Sequence, residues 1–193
     1  MIVEIECGSG LCEGLKSDNT LLFNGIIYGN FDHRWGNPNL AKDTHSKLSD
    51  KPISAPQTLI GKSILHDSTI NNERESCLTL NIASPDIQGK FPVLVWIHGG
   101  GFMSGSSNSA MYQIQNLARK GLVVVSVNYR LGPLGFLRLK DITDGKIDAT
   151  GNEGLKDQRL ALQWIQENIE YFGGDKNNVT ICGLSSGSWS CAL

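Results

Sequence analysis

Val179-Thr-Ile-Cys-Gly-Leu-Ser-Ser-Gly187 is the stretch on which the fold and the chemistry of this chain turn. Its first four residues read as a short apolar strand, and Gly183-Leu184-Ser185-Ser186-Gly187 follows as a G-x-S-x-G run. A strand that turns at once into a helix crowds the neighbours of the central residue, and only glycine-sized side chains fit there. Such an elbow presents a serine for acyl transfer, which makes Ser185 the candidate nucleophile. A serine hydrolase of this chain order needs its acid and its histidine after the serine. The sequence ends at Leu193 and has no histidine after Ser185.

Upstream of the elbow, Pro92 to Ile97 and Leu122 to Asn128 are continuous apolar runs, which predict strands buried on both faces. Between them, Met111, Ile114, Leu117 and Ala118 fall at helical spacing within Ser109 to Arg119. A second helix is predicted from about Leu155 to Phe172, with Ala161, Ile165, Ile169 and Phe172 on one face and Gly173-Gly174 as its stop. Strand, helix, strand, helix, strand is the pattern of an α/β sheet with parallel strands. Leu78 to Ile82 alternates like a strand with one exposed face. Further upstream, Ile2 to Cys7 and Leu21 to Tyr28, the latter around an Asn24-Gly25 turn signal, predict a small antiparallel N-terminal β segment. Residues 37–76 are polar and punctuated by Pro38, Pro52 and Pro56, which predicts a long connection of the kind that covers a site.

The chain has 193 residues, 40% apolar and 19% charged, which suits one domain with a sizeable core. A net charge of -2 without a basic run excludes a polyanion footprint, so no nucleic-acid partner is expected. No segment approaches membrane-spanning length, and the start, MIVEIECGSG, lacks the basic and apolar regions of a signal peptide. As written the chain is expected in the cytosol, with a secreted or endoplasmic-reticulum location open if its start is incomplete. Cys7, Cys12, Cys77, Cys182 and Cys191 show no metal-ligand spacing, so no metal is expected. Cys182 is placed in a buried strand as a small apolar residue. Cys7 and Cys12 are close enough in sequence to pair, and two free thiols are the plainer expectation. Asn178-Val179-Thr180 is formally a glycosylation acceptor, but it runs straight into a strand and is expected to stay unused.

His98-Gly99-Gly100-Gly101-Phe102 follows the strand at 92–97. Three adjacent glycines let backbone N–H groups converge on one point, which is what stabilising a developing oxyanion requires. Phosphate binding by the other glycine-containing stretches fails on spacing. Gly61-Lys62-Ser63 has Pro56 where the first glycine of a P-loop belongs, and Gly8-Ser9-Gly10 meets Glu13 where a third glycine is needed.

At this point the chain resembles the type-B carboxylesterase and cholinesterase family of α/β hydrolases over nearly its whole length. The blocks that carry the resemblance are Phe23-Asn-Gly-Ile-Ile-Tyr-Gly29, Arg34-Trp35 with Pro38, Glu75-Ser-Cys-Leu-Thr-Leu-Asn81 and Trp96-Ile-His-Gly-Gly-Gly-Phe102. They continue through Val127-Asn-Tyr-Arg-Leu-Gly-Pro-Leu-Gly-Phe136, Gly151 to Trp164, Phe172-Gly-Gly-Asp175 and the elbow. The resemblance implies an α/β-hydrolase fold cut short after the elbow, with residues 1–193 as the N-terminal part of a larger domain. It implies Ser185 as nucleophile, the N–H groups of Gly100, Gly101 and Ser186 as the oxyanion hole, and structural ion pairs between Arg34 and Glu75 and between Arg130 and Asp157. His98 is expected to pack the loop, since the family's base lies far downstream, and His33, His45 and His66 are expected to be solvated. No cofactor is implied, and the partner implied is a small-molecule ester.

Departures from the family pattern bear on specificity. Leu184 stands where the family commonly has Glu, and Ser186 replaces the usual Ala. Asp67 stands ten residues before Cys77, where cholinesterases carry a cation-binding tryptophan; without that aromatic face a choline ester is disfavoured. The family's cysteine partner for Cys77 would fall near Ala55-Pro56-Gln57 and is absent, so that disulfide is not expected. The function implied is carboxylic ester hydrolysis through a serine acyl-enzyme, with the 193-residue chain itself expected to be an inactive fragment. The alternative is a non-catalytic adhesion or binding protein on the same scaffold. Members of that kind typically lose the nucleophile, and this chain keeps it.

Overall fold

The protein is described by a computed structural model, which describes residues 1–17, 19–48, 52–58 and 72–193. Alternating residues at the N-terminus build an antiparallel ladder of β1 (Ile2–Cys7), β2 (Gly10–Ser17) and β3 (Thr20–Ile27). In β1 the acids Glu4 and Glu6 face out while Ile5 and Cys7 are buried, the period of two that a half-covered strand requires. Asn24-Gly25 was expected to be a turn and is instead a bulge inside β3, where the register against its neighbour shifts between Phe23 and Ile26. The Gly25 amide, freed from the ladder, donates to Asn81 Oδ1 at 2.8 Å, so a side chain from the adjacent strand absorbs the irregularity.

The described part of the polar stretch 37–76 is less irregular than its composition suggests. β4 (Gly29–Asn30) pairs with β5 (Asn39–Leu40), β6 (Thr44–Ser46) adds to β2 in parallel, and Ser54 bridges Glu73. Asp67, His66 and Gly61-Lys62-Ser63 lie outside the described residues.

β7 (Thr79–Ser84) is buried at all six positions, against the expectation of one exposed face, because it lies between β3 and β9 (Val123–Val127) with cover on both sides. β8 (Phe91–Ile97) departs in the other direction. Val93, Val95 and Ile97 are buried, while Leu94 and Trp96 on the opposite face are only half-covered. The helix predicted over 109–119 is only α1 (Ile114–Ala118), too short to roof more than β9 and its neighbours. α2 (Gly132–Phe136) and α3 (Leu139–Ile142) follow β9. α4 (Glu153–Asn168) then runs into a 3-10 turn at Ile169–Phe172 and stops at Gly173, whose φ of 80° suits glycine. β10 (Gly174–Gly183) leads to α5 (Ser186–Ser190).

Among the described residues the main sheet runs β1-β2-β3-β7-β9-β8-β10, with β6 beside β2. β9, β8 and β10 are parallel to one another, with Val95 opposite Val125 and Ile97 opposite Gly183. On one face Val93, Val95, Ile97, Val125, Leu80 and Ile82 share a core with Ala161, Trp164, Ile165, Ile169 and Phe172. On the other, Ala83 and Val124 pack with Ile114 and Ala118. The larger core continues under the N-terminal ladder, where Phe23 meets Phe172 edge to face at 5.0 Å. No helix among the described residues is long and apolar enough to cross a membrane.

Two ion pairs tie loops to this frame. Arg130, 2% exposed, donates from Nε to Asp157 Oδ2 at 2.8 Å and from Nη2 to Oδ1 at 2.7 Å, and its backbone N–H reaches the same carboxylate at 3.0 Å. Its third nitrogen, Nη1, donates to Gly36 O at 2.9 Å, and the guanidinium lies over the Phe31 ring. Each guanidinium nitrogen and each carboxylate oxygen of the pair therefore has a partner, the condition under which buried charges are tolerated. Arg34 grips Glu75 through both carboxylate oxygens, with the pair open to solvent.

Removing one partner of the buried pair strands the other charge, so Asp157→Ala should lower stability by about 3–5 kcal/mol in urea unfolding. Arg34→Ala should move the midpoint far less, and equal shifts would contradict this account. The outer edge of β10 is unpaired among the described residues, and Ile181, Leu184, Trp189 and Leu193 are exposed beside it. A polypeptide of these 193 residues should bind a hydrophobic dye strongly, and Ile181→Lys should weaken that binding. Dye binding no greater than that of an ordinary folded domain would count against the exposed edge.

Candidate active site

Ser185 stands where β10 gives way to α5, at φ 51° and ψ -119°. A non-glycine residue held there costs about 1–3 kcal/mol, and it persists only when its surroundings dictate it. The glycines of the elbow supply that constraint. A Cβ on Gly183 would lie 2.5 Å from the Gly187 carbonyl carbon, and one on Gly187 would collide with Ile97 O. The turn is then locked from below: Ser185 O accepts the N–H groups of Ser188 and Trp189 at 2.9 and 3.1 Å and the Ser188 hydroxyl at 2.6 Å.

The glycine loop leaves β8, the strand beside β10, and so arrives next to the serine. A Cβ on Gly99 would be 2.7 Å from Leu184 O and 3.3 Å from Ser185 Cβ, which puts the two motifs in van der Waals contact. Gly100 and Gly101 have φ of 121° and 62°, and Phe102, at 60°, continues the left-handed run. The loop folds back on itself as Gly100 O accepts from Met103 N, Ser104 N and Ser104 Oγ at 3.0, 3.1 and 3.2 Å. Among the described residues, the N–H groups of Gly100, Gly101 and Ser186 donate to no protein acceptor. Ser186 is buried and Ser185 exposed, so the hydroxyl of the second faces solvent beside the loop.

His98 holds the loop from within. Its ring is fully buried, stacked on Tyr129 with centroids 4.4 Å apart, and Nδ1 lies 2.9 Å from Gly99 O. Burial pushes the imidazole down to about 4, so it is neutral at pH 7, and against a carbonyl the Nδ1 must carry the proton. That bond fixes the peptide from which the Gly100 N–H projects. Tyr129 completes the support by donating its hydroxyl to His98 O at 2.8 Å, and Gly132 N donates to Phe102 O at 2.7 Å. Farther along, Gln57 clamps Gly105, accepting its N–H at 2.9 Å and donating to its carbonyl at 3.0 Å. Sequence patterns did not single out Tyr129 or Gln57. The only signal for Tyr129 is its place directly after an apolar strand that ends in Asn128, a buried polar residue whose side chain takes Ser107 N at 2.8 Å.

The structure brings Ser185, Gly100, Gly101 and Ser186 to one end of β8 and β10. Arg34 with Glu75 and Arg130 with Asp157 lie in the supporting frame, with Arg130 one residue from Tyr129. Neither of the other described histidines is hydrogen-bonded to the serine. His33 is exposed, and His45 lies in β6, where Nε2 is 2.9 Å from Glu13 Oε1; it is paired and not simply solvated as expected. Cys182 is half-buried, not buried, because only one side of β10 is covered. Cys77 is a free, fully buried thiol pushed up to about 12 by that burial. Among the described residues no group of three or more histidines, cysteines or carboxylates is placed to hold a metal ion.

The sequence model of the carboxylesterase family matches residues 1–193. A probable N-octanoylanthranilate hydrolase of Rhodococcus erythropolis is 37% identical over 199 aligned residues, covering 98% of this chain and 42% of the relative. The para-nitrobenzyl esterase of Bacillus subtilis is 47% identical over 122 residues, 62% of this chain and 24% of that protein. A crystal structure of a Geobacillus stearothermophilus carboxylesterase superposes with a TM-score of 0.83 at 33% identity, over 97% of this chain and 38% of that one. The chain thus spans less than half the length of these relatives. Its sheet is an α/β-hydrolase sheet, and the chain belongs to the carboxylesterase family.

Proposed function

We propose that these residues form the nucleophile and oxyanion-hole portion of a serine carboxylic ester hydrolase acting on small-molecule esters. The observation that carries the proposal is the contact between Gly99 and the strained Ser185, and it is supported by the N–H groups of Gly100, Gly101 and Ser186 having no protein acceptor among the described residues. In this reading Ser185 Oγ attacks the ester carbonyl carbon. The carbonyl oxygen takes up the electron pair facing the N–H groups of Gly100, Gly101 and Ser186, as electrostatic stabilisation of the tetrahedral intermediate requires. The alcohol then leaves with a proton, and water releases the acyl group from the serine. Leu184, exposed beside the serine where the family commonly has an acid, gives the entrance an apolar border suited to uncharged esters.

No proton relay to Ser185 is found among the described residues. Neutral, buried His98 is occupied with Gly99 O, and no histidine follows Ser185. The 193-residue polypeptide is therefore proposed to be inactive by itself, in line with its covering less than half of its relatives. A serine without its base retains only about 10³–10⁴ of acceleration over water.

The 193-residue polypeptide should not label with a fluorophosphonate, and it should release an aryl alcohol no faster than its Ser185→Ala variant. A polypeptide in which these residues are followed by an acid and a histidine placed as in the relatives should do both, and there Ser185→Ala should cost about 10⁶ in kcat. Ser185-independent hydrolysis by that longer polypeptide would overturn the assignment. The loop itself carries a pH signature. His98 titrates near 4 when folded and near 6.5 when unfolded, so its stabilising contribution is present above pH 6.5 and lost as pH falls toward 4. Stability should therefore drop by on the order of 3 kcal/mol more across that window in the parent than in His98→Gln, read from urea midpoints; parallel pH profiles would contradict a buried neutral imidazole.

A further inference from the structure

Cys7 and Cys12 lie on the same face of the β1–β2 hairpin. Cys7 is opposite Gly10 and Cys12 is opposite Ile5, so the two are diagonal neighbours one pleat apart. Their sulfurs are 3.8 Å from each other. Cys7 Sγ also lies 3.3 Å from Ser9 Oγ and 3.3 Å from Gly10 O. The hairpin tip that holds them is clamped: Thr44 donates its N–H and its hydroxyl to Ser9 O, both at 2.9 Å, and a Cβ on Gly8 would touch Asn168 Oδ1 at 3.0 Å. A contact of this kind, at a fixed tip, has no part in the chemistry of Ser185.

We propose that Cys7 and Cys12 are a dithiol that a peroxide oxidises reversibly to a disulfide, making the β1–β2 hairpin a redox modification site. Closing the sulfurs from 3.8 Å to bonding distance brings them under about 2 Å nearer, and because diagonal neighbours stand about 7–8 Å apart the hairpin backbone tightens with them. Cys7 is 8% exposed and Cys12 is fully enclosed, so a molecule little larger than water meets Cys7 first. The Cys12 S–H donated toward it, with the Ser9 hydroxyl, lowers the Cys7 thiol to about 6 against the opposing effect of burial. The Cys12 thiol is raised by its contact with Cys7 and by burial, which leaves Cys7 as the thiolate and Cys12 as the resolving thiol. The Cys7 thiolate attacks one peroxide oxygen, the O–O bond breaks, and with one proton taken up the products are a Cys7 sulfenic acid and water. Cys12 sulfur then attacks Cys7 sulfur, and hydroxide leaves with the Cys12 proton as a second water. Two thiols lose two electrons and hydrogen peroxide gains them.

The other cysteines supply the internal comparison. Cys77 is enclosed and its thiol is raised to about 12, and burial also raises Cys182 and Cys191, although these two are more open to solvent. Exposure alone would favour Cys182 and Cys191; the hairpin contact favours Cys7.

The 193-residue protein is treated with a small excess of hydrogen peroxide, unfolded with an alkylating agent and digested with trypsin, which leaves Cys7 and Cys12 in one peptide ending at Lys16. The expected result is loss of two hydrogens from that peptide and no alkyl group on it, reversed by dithiothreitol, at doses where Cys182 and Cys191 are still fully alkylated. Oxidation in urea should abolish this preference, because the neighbours that polarise Cys7 are then dispersed. In Cys12→Ser, dimedone should trap a sulfenic acid on Cys7. A doubly alkylated hairpin peptide at doses that have consumed Cys182 or Cys191, or the same order of reaction in urea, overturns the proposal.

Discussion

The pairing of Arg130 with Asp157 is the constraint from which the site end of the sheet is built. Asp157 is on the buried face of α4, and Arg130 follows β9 by three residues, so their three hydrogen bonds pin the exit of a central strand to the helix that covers it. Buried charges of this kind add little net stability, but they permit few alternatives: any other position for Arg130 would leave a carboxylate in the core unpaired. The residues on either side inherit that fixity. Tyr129 stacks on His98 and bonds its carbonyl, Asn128 collects Ser106, Ser107, Thr79 and Ile53, and Gly132 meets Phe102. The glycine loop, which has no side chains of its own with which to hold a shape, is shaped by this neighbouring segment.

That arrangement explains why a histidine precedes the glycines. Three successive left-handed residues, from Gly100 to Phe102, are costly to order, since the unfolded chain explores them freely. A buried neutral imidazole bonded to Gly99 O supplies a rigid anchor at the point where the strand ends. The elbow on β10 is rigid for the opposite reason: it is crowded, and glycine is tolerated at Gly183 and Gly187 because nothing larger fits. A flexible loop held by a side chain thus faces a tight turn held by its own backbone.

Much of this was legible in the residues. The apolar run of β9, the G-x-S-x-G spacing and the glycine triplet each report a local steric demand that survives into the structure, whereas the run of β8 forms its strand but is fully covered on one face only. The long helix over Glu153–Asn168 was legible for the same reason, since its period and its glycine stop are contained within it. What was not legible depended on neighbours far away in sequence. Asn24-Gly25 makes a bulge instead of a turn because Asn81 receives its amide. Leu78 to Ile82 alternates in polarity, yet Asn81 and Thr79 are buried because a polar network of Ser107, Asn108, Ser126 and Asn128 meets them. A polar side chain in a strand signals water only when no partner waits inside.

The serine and the glycine loop leave two adjacent parallel strands, β10 and β8, whose registered ends are Gly183 and Ile97. Their relative placement is therefore set by a single hydrogen-bonded ladder. A slip of one residue in that ladder would carry the serine about 3.3 Å along the strand and turn every β10 side chain to the other face. The five residue pairs from Val93–Val179 to Ile97–Gly183 therefore fix the position of the serine along its strand, and a change that disturbs any of them is felt in the distance between the two motifs.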